Sequence, residues 1–217
     1  MASTSPPRRL ARLAALAVVG VVAYGLVDAA LRFLEPQYSL LRSAESDYGN
    51  GAFAWLMDAN FLLRGILSLA AATAIAALAR PTGTLRLGVG LIVVWAIGSG
   101  LLAFFPDDLA GTAATAAGRI HLLLALVAFV AVSVGAVVAA YALRHEPSWR
   151  PVVPFLLGLA VVGLLALPLV ARPPLRGDVG LFERLFLALE LGWLLVASAW
   201  AWRVATHEVP ERAVDRG

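Results

Sequence analysis

The chain has 217 residues, of which 61% are hydrophobic and 14% charged, with a formal net charge of +3. Soluble domains carry about 25% charged and about 45–50% apolar residues, so a water-soluble core of this size cannot hide the surplus, and a bilayer is the natural solvent. The absence of cysteine excludes disulfides, thiol catalysis and thiolate metal sites. All 17 basic residues are arginine, which excludes lysine chemistry, and their scatter through short connectors argues against a nucleic-acid partner.

In chain order, residues 1–9 form a basic N-terminal segment that runs into "PPRRLAR". An apolar run of about 24 residues then follows, too long for a signal-peptide core, and is read as a retained anchor. Six segments meet the requirement of about 20 mostly apolar residues for a spanning helix: roughly 10–34, 55–79, 85–105, 119–143, 151–171 and 182–204. The connectors "EPQYS", "RPTG", "FPDD", "HEPSWRP" and "RPPLRGD" carry breaker residues. Backbone groups in lipid must be satisfied within the segment, and these runs lack the alternation of barrel strands. The expectation is an all-α, six-helix membrane bundle over 10–204, followed by a polar tail at 205–217.

Arginine counts orient it. Arg8, Arg9, Arg12, Arg80, Arg86, Arg144, Arg150, Arg203, Arg212 and Arg216 fall on one side; Arg32, Arg42, Arg119, Arg172, Arg176 and Arg184 fall on the other. Both termini are therefore expected to be cytoplasmic. The first, third and fifth connectors, with Glu35, Glu45, Asp47, Asp107, Asp108 and Asp178, then face outward.

Asp28, Asp58, Arg64 and Glu190 interrupt the apolar runs or sit at their edges. At 1.5 Å of rise per residue, Asp28, Arg64 and Glu190 lie roughly 9, 13 and 12 Å below the outer surface. Asn60, Arg64 and Ser68 recur every four residues and form one polar stripe, as do Tyr24, Asp28 and Arg32. This spacing predicts an intramembrane network of Asp28, Asn60, Arg64 and Glu190, with Arg64 paired to Asp28, Glu190 or both. Such a network also serves helix register without any ligand.

Above that layer the candidate pocket residues are Glu45, Asp107, Asp108, Arg119, His121, Glu183 and Arg184. "FPDD" also reads as a helix stop followed by an acidic cap, and His121 also reads as an interfacial polar residue. Zinc chemistry requires about three nitrogen or carboxylate ligands. His145 and His207 belong to the other side, so no histidine cluster forms. A mixed site of Glu45, Asp107, Asp108 and His121 and hard-ion binding by the carboxylates alone are the two open arrangements, and neither has a diagnostic spacing. No serine elbow, phosphate loop or haem-attachment motif is present, so no metal and no cofactor is expected.

Three patches together are similar to a known family: "SLLRSAESDYGNGAFAWLMDANFLLRG", "FPDDLAGTAATAAGRIH" and "GLFERLFLALELGW". In this order they resemble the bacterial multi-pass membrane family called domain of unknown function 998, over about residues 12–204. Pro106, Asp108, His121, Glu183 and Arg184 carry the pattern, whereas "SAESDYGNG" departs from the more usual Ser-Glu-Leu-Gly. The resemblance implies a six-helix membrane fold and no assigned reaction. The reading is a non-enzymatic multi-pass protein of the plasma membrane, with lipids around it, a small ligand, ion or lipid head group at an outward-facing pocket, and a small ligand or a protein in the membrane as its partner. The alternatives are an outer-leaflet hydrolase, metal- or acid/base-dependent, and a structural subunit of a membrane complex.

Overall fold

The computed structural model of the chain describes residues 6–172 and 177–214. It contains six α-helices: α1 (Pro6–Leu34), α2 (Ala54–Ala77), α3 (Gly83–Leu101), α4 (Ala116–Leu143), α5 (Val153–Ala171) and α6 (Val179–Val214). Two 3-10 turns, Glu45–Asn50 and Leu102–Phe104, accompany them. All six helices are long and apolar enough to cross a membrane, and the described residues contain no strand. Arg176, Arg216 and the first five residues of the basic N-terminus lie outside the described residues.

Local chemistry sets the helix ends. The Thr82 hydroxyl accepts from Leu85 N at 3.2 Å and caps α3; Thr115 does the same for α4, accepting from Gly118 N at 3.0 Å. Each cap satisfies a donor that the first turn leaves without an intrahelical partner. The cap places the start of α4 at Ala116, three residues before the apolar run implies. The end of α6 runs on to Val214, beyond the apolar stretch, because no breaker stands at 205.

Each helix packs against its neighbour in the chain, and α6 closes the ring against α1 while also touching α2 and α4. Lipid offers no hydrophobic drive for helix association, so close packing at small residues matters. A Cβ on Gly88 would come within 2.6 Å of Ala139 N, one on Gly98 within 3.0 Å of the Ala128 Cβ, and one on Gly65 within 2.8 Å of Ala96 O. The backbones of α3 and α4 therefore approach directly, as do those of α2 and α3. Leu16, Leu26, Ile66, Leu122, Phe155 and Leu165 remain exposed on the outside, as a lipid-facing surface requires.

The alternating path gathers the connectors at two ends. At one end the first connector bonds to the third through Ser46 and Asp107 and to the start of α6 through Arg184. At the other end Arg80 N donates to Glu146, the Trp149 indole donates to Leu78 O, and the Trp200 indole donates to Ser148 O. These are called the acidic end and the arginine end below.

Candidate functional site

The polar stripe of α2 turns inward. Asn60, Arg64 and Ser68 are each at most 1% exposed. The Arg64 guanidinium is walled by the rings of Trp95, Phe61 and Tyr24 at 4.9, 5.1 and 5.4 Å, an arrangement in which ring quadrupoles attract the cation. Its Nη1 donates to the Tyr24 hydroxyl at 2.9 Å, and that hydroxyl donates to Glu45 Oε1. Below, Ser68 Oγ donates to Arg64 O and accepts from the Trp95 indole. Asn60 Nδ2 donates to Tyr24 O, fixing α2 to α1.

The acid beside Arg64 is Glu45, whose Oε2 lies 3.9 Å from Nη1, and not Asp28 or Glu190 as the depths suggest. The physical reason is that the first connector does not stay at the surface. Its 3-10 turn dips into the bundle and buries Glu45, Ser46, Asp47 and Tyr48. Glu190 shares the depth of Arg64 but not its azimuth. It accepts from Ser133 Oγ at 2.9 Å and rests on Gly163, where a Cβ would come within 2.6 Å of Oε1. Glu190 thus links α4, α5 and α6. Asp28 is half-buried and near enough for its charge to act on Glu45.

The start of α6 holds this connector in place. Glu183 Oε2 accepts from Glu45 N at 2.9 Å, and Leu181 N donates to Leu41 O. Arg184 Nη1 donates to Ser43 O at 2.8 Å and Leu40 O at 3.1 Å, and its guanidinium lies 5.5 Å from the centre of the Tyr48 ring. Gly180 admits this contact, because a side chain there would strike Ser43 O. Farther along the connector, Glu35 is buried and accepts from Phe53 N and the Gln37 amide. Burial pushes the Glu45 carboxyl up to about 8; the Asp28 charge adds to the rise, and Arg64 opposes it. Asp47 is pushed up to about 6 by burial and by Asp107.

The two adjacent acids of the third connector divide their roles. Asp107 points inward: its Oδ2 accepts from Ser46 Oγ at 2.7 Å and lies 3.9 Å from His121 Nε2. His121 is buried, pairs through Nδ1 with Phe105 O at 2.7 Å and meets the Phe61 ring edge-on. A carbonyl can only accept, so Nδ1 carries the proton. Asp108, expected in the pocket, caps the turn before α4 instead. It accepts from Thr115 N and Thr115 Oγ1 at 2.8 Å each, which holds its carboxyl below the usual range. Arg119 is exposed and acts on Asp108 from the surface.

The family model described as "Protein of unknown function (DUF998)" matches residues 18–200. The chain belongs to the DUF998 family. No curated protein and no solved structure matches it.

In this DUF998 chain, sequence reasoning missed Glu35, Tyr48 and Ser133. Ser133 is the one hydroxyl between His121 and Tyr141 in α4, a signal that was available; Glu35 and Tyr48 give none, since both read as loop residues. Chemically, Ser46 donates to Asp107 and not to His121, so the described residues here show no hydroxyl paired with an imidazole base. Among the described residues no three His, Asp or Glu side chains group as a metal site. Among the described residues the acceptor Asn60 Oδ1 and the donor Arg64 Nε are buried without a hydrogen-bond partner, whereas the Asp28 carboxyl engages Glu45 and the Tyr48 hydroxyl engages the Arg184 guanidinium.

Proposed function

We propose that this protein is a non-enzymatic component of the bacterial plasma membrane, with both termini cytoplasmic, whose outward-facing acidic end binds a small polar ligand, an ion or a lipid head group. The supporting observation is the buried polar cluster of Asp28, Asn60, Arg64 and Arg184, in which the acceptor Asn60 Oδ1 and the donor Arg64 Nε lack partners among the described residues. A buried polar atom without a partner costs about 1–3 kcal/mol, so an acceptor and a donor left open in one cluster call for an occupant. Because donors and acceptors occur together, the occupant that fits presents both acceptor oxygens and a donating or cationic group.

The test is the melting temperature of the purified full chain, titrated with glycerophosphoethanolamine, glycerophosphocholine, or sodium or potassium salts. At least one probe should raise it, and Asp28→Asn and Arg184→Gln should abolish the rise. If no probe shifts the wild type, or the shift survives both substitutions, the reading is wrong. The cysteine-free chain also allows a direct check of sidedness: Thr112→Cys should react with an impermeant thiol reagent from outside intact cells.

A further inference from the structure

The first connector lies over the acidic end like a strap between two fixed points. On one side Glu35 is buried and accepts from Phe53 N, which ties the two ends of the connector together. On the other side Tyr48 is fully buried with Leu31, Met57, Phe61 and Leu102, and it meets the Tyr38 ring edge-on. Between these points residues 39–44 are not buried. Polar contacts from the start of α6 hold them: Leu181 N donates to Leu41 O, and Arg184 Nη1 donates to Leu40 O and Ser43 O. Residues 39–46 can therefore lift while Tyr38 and Tyr48 stay seated.

The Glu45 side chain pins the descending end of the strap. Its Oε1 accepts from the Tyr24 hydroxyl, its Oε2 lies 3.9 Å from Arg64 Nη1, and its carboxyl engages that of Asp28. Carboxylates have acceptors only, so two carboxyls bond to each other only with a proton between them. Without that proton two negative charges meet where Glu45 is buried, an arrangement in which both cannot stay ionised cheaply. The surroundings add to the repulsion. Asp28 on α1, Asp47 in the turn itself, Glu183 on α6 and Asp107 on the third connector are acids. Against them stand Arg64 on α2 and Arg184 on α6, with His121 beside Asp107 and the Tyr24 and Tyr48 hydroxyls between. Burial and the Asp28 charge push the Glu45 carboxyl up to about 8. The hold is therefore complete below its ordinary 4.5 and fades as pH rises through about 8.

We propose that residues 39–46 form a pH-operated strap: with a proton between Asp28 and Glu45 it lies down over the Arg64 cluster, and without that proton it lifts and opens the acidic end. Its consequence for binding rests on the reading of the acidic end given above; the movement itself does not. In the cysteine-free full chain, spin labels are placed by Arg42→Cys on the strap and Leu122→Cys on the exposed face of α4. The distance between them is measured by double electron–electron resonance at pH 6 and pH 9, with no ligand added. The distribution should shift and broaden at pH 9, with its midpoint at about 8. Glu45→Gln, which cannot ionise but can donate to Asp28, should keep the pH 6 distribution at pH 9. Asp28→Asn should do the same with Glu45 intact. A reference pair, Ile66→Cys on α2 with Leu122→Cys, should not change. Identical distributions at the two pH values overturn the proposal, as does a shift that survives both substitutions or an equal shift in the reference pair. A strap that moves in a chain whose melting temperature no probe raises sinks the binding reading and leaves the strap standing; probe binding with no movement does the reverse.

Discussion

The two ends of the bundle handle charge in opposite ways. At the acidic end Glu35, Glu45 and Glu183 are buried, and they are satisfied by backbone amides, a tyrosine hydroxyl and a guanidinium enclosed by rings. At the arginine end the cations stay at the surface and lie on aromatic faces, the half-buried Arg144 on Tyr141 and the exposed Arg203 on Trp200. The difference teaches that equal numbers of charges do not carry equal energetic weight. Groups withdrawn from water lose a great deal when one partner goes, whereas exposed groups are replaced by water at little cost.

The largest expected effect comes from Arg64→Leu. It strands Glu45 and the Tyr24 hydroxyl and should cost about 3 kcal/mol, seen as a lower melting temperature in detergent. Glu45→Gln in the same chain should recover part of that loss; losses that simply add would mean that the two groups are not coupled.

A second way to sharpen the contrast is pH. The Glu45 carboxyl moves from an ordinary 4.5 to about 8 in the folded chain, so the folded state binds the proton more tightly than the unfolded one. The stability it contributes is fully present below about 4.5 and is lost as pH rises through about 8. Asp47 acts with the same sign between 3.8 and about 6. The melting temperature should fall from pH 5 to pH 9, and Glu45→Gln should flatten the upper part of that fall. A melting temperature that climbs with pH would contradict this account.

The smallest effect is expected at the arginine end. Arg80 and Glu146 lie 3.9 Å apart with the Arg80 side chain 78% exposed, so Arg80→Ala should cost less than about 1 kcal/mol. A loss comparable to that of Arg64→Leu would erase the distinction between the ends.

Much of this architecture is legible in the sequence because lipid imposes a length and a polarity on every span. The stripe Asn60, Arg64, Ser68 was likewise readable, since a four-residue repeat must face one way. Partner choice was not. Depth along a helix axis gives no azimuth, so Glu190 matched Arg64 in height yet turned towards Ser133 and Gly163. Hydropathy assigns connectors to water, so the descent of Glu45 below its own loop left no trace in composition. Asp107 and Asp108 are indistinguishable as letters; the Thr115 cap, seven residues on, decides which of them turns outward.

The bond from Glu183 to the Glu45 amide joins residues 138 apart in the chain. At a synthesis rate of about 5–20 residues per second, the first connector waits roughly 7–28 s before the helix that secures it exists. Throughout that interval Glu45, Asp28 and Arg64 have no lid from α6, and a nascent chain cut short before residue 183 presents an open, charged mouth. The order of synthesis therefore makes α6 the element that closes the acidic end, and a chain truncated before residue 183 lacks the Glu183 carboxylate that holds the Glu45 amide.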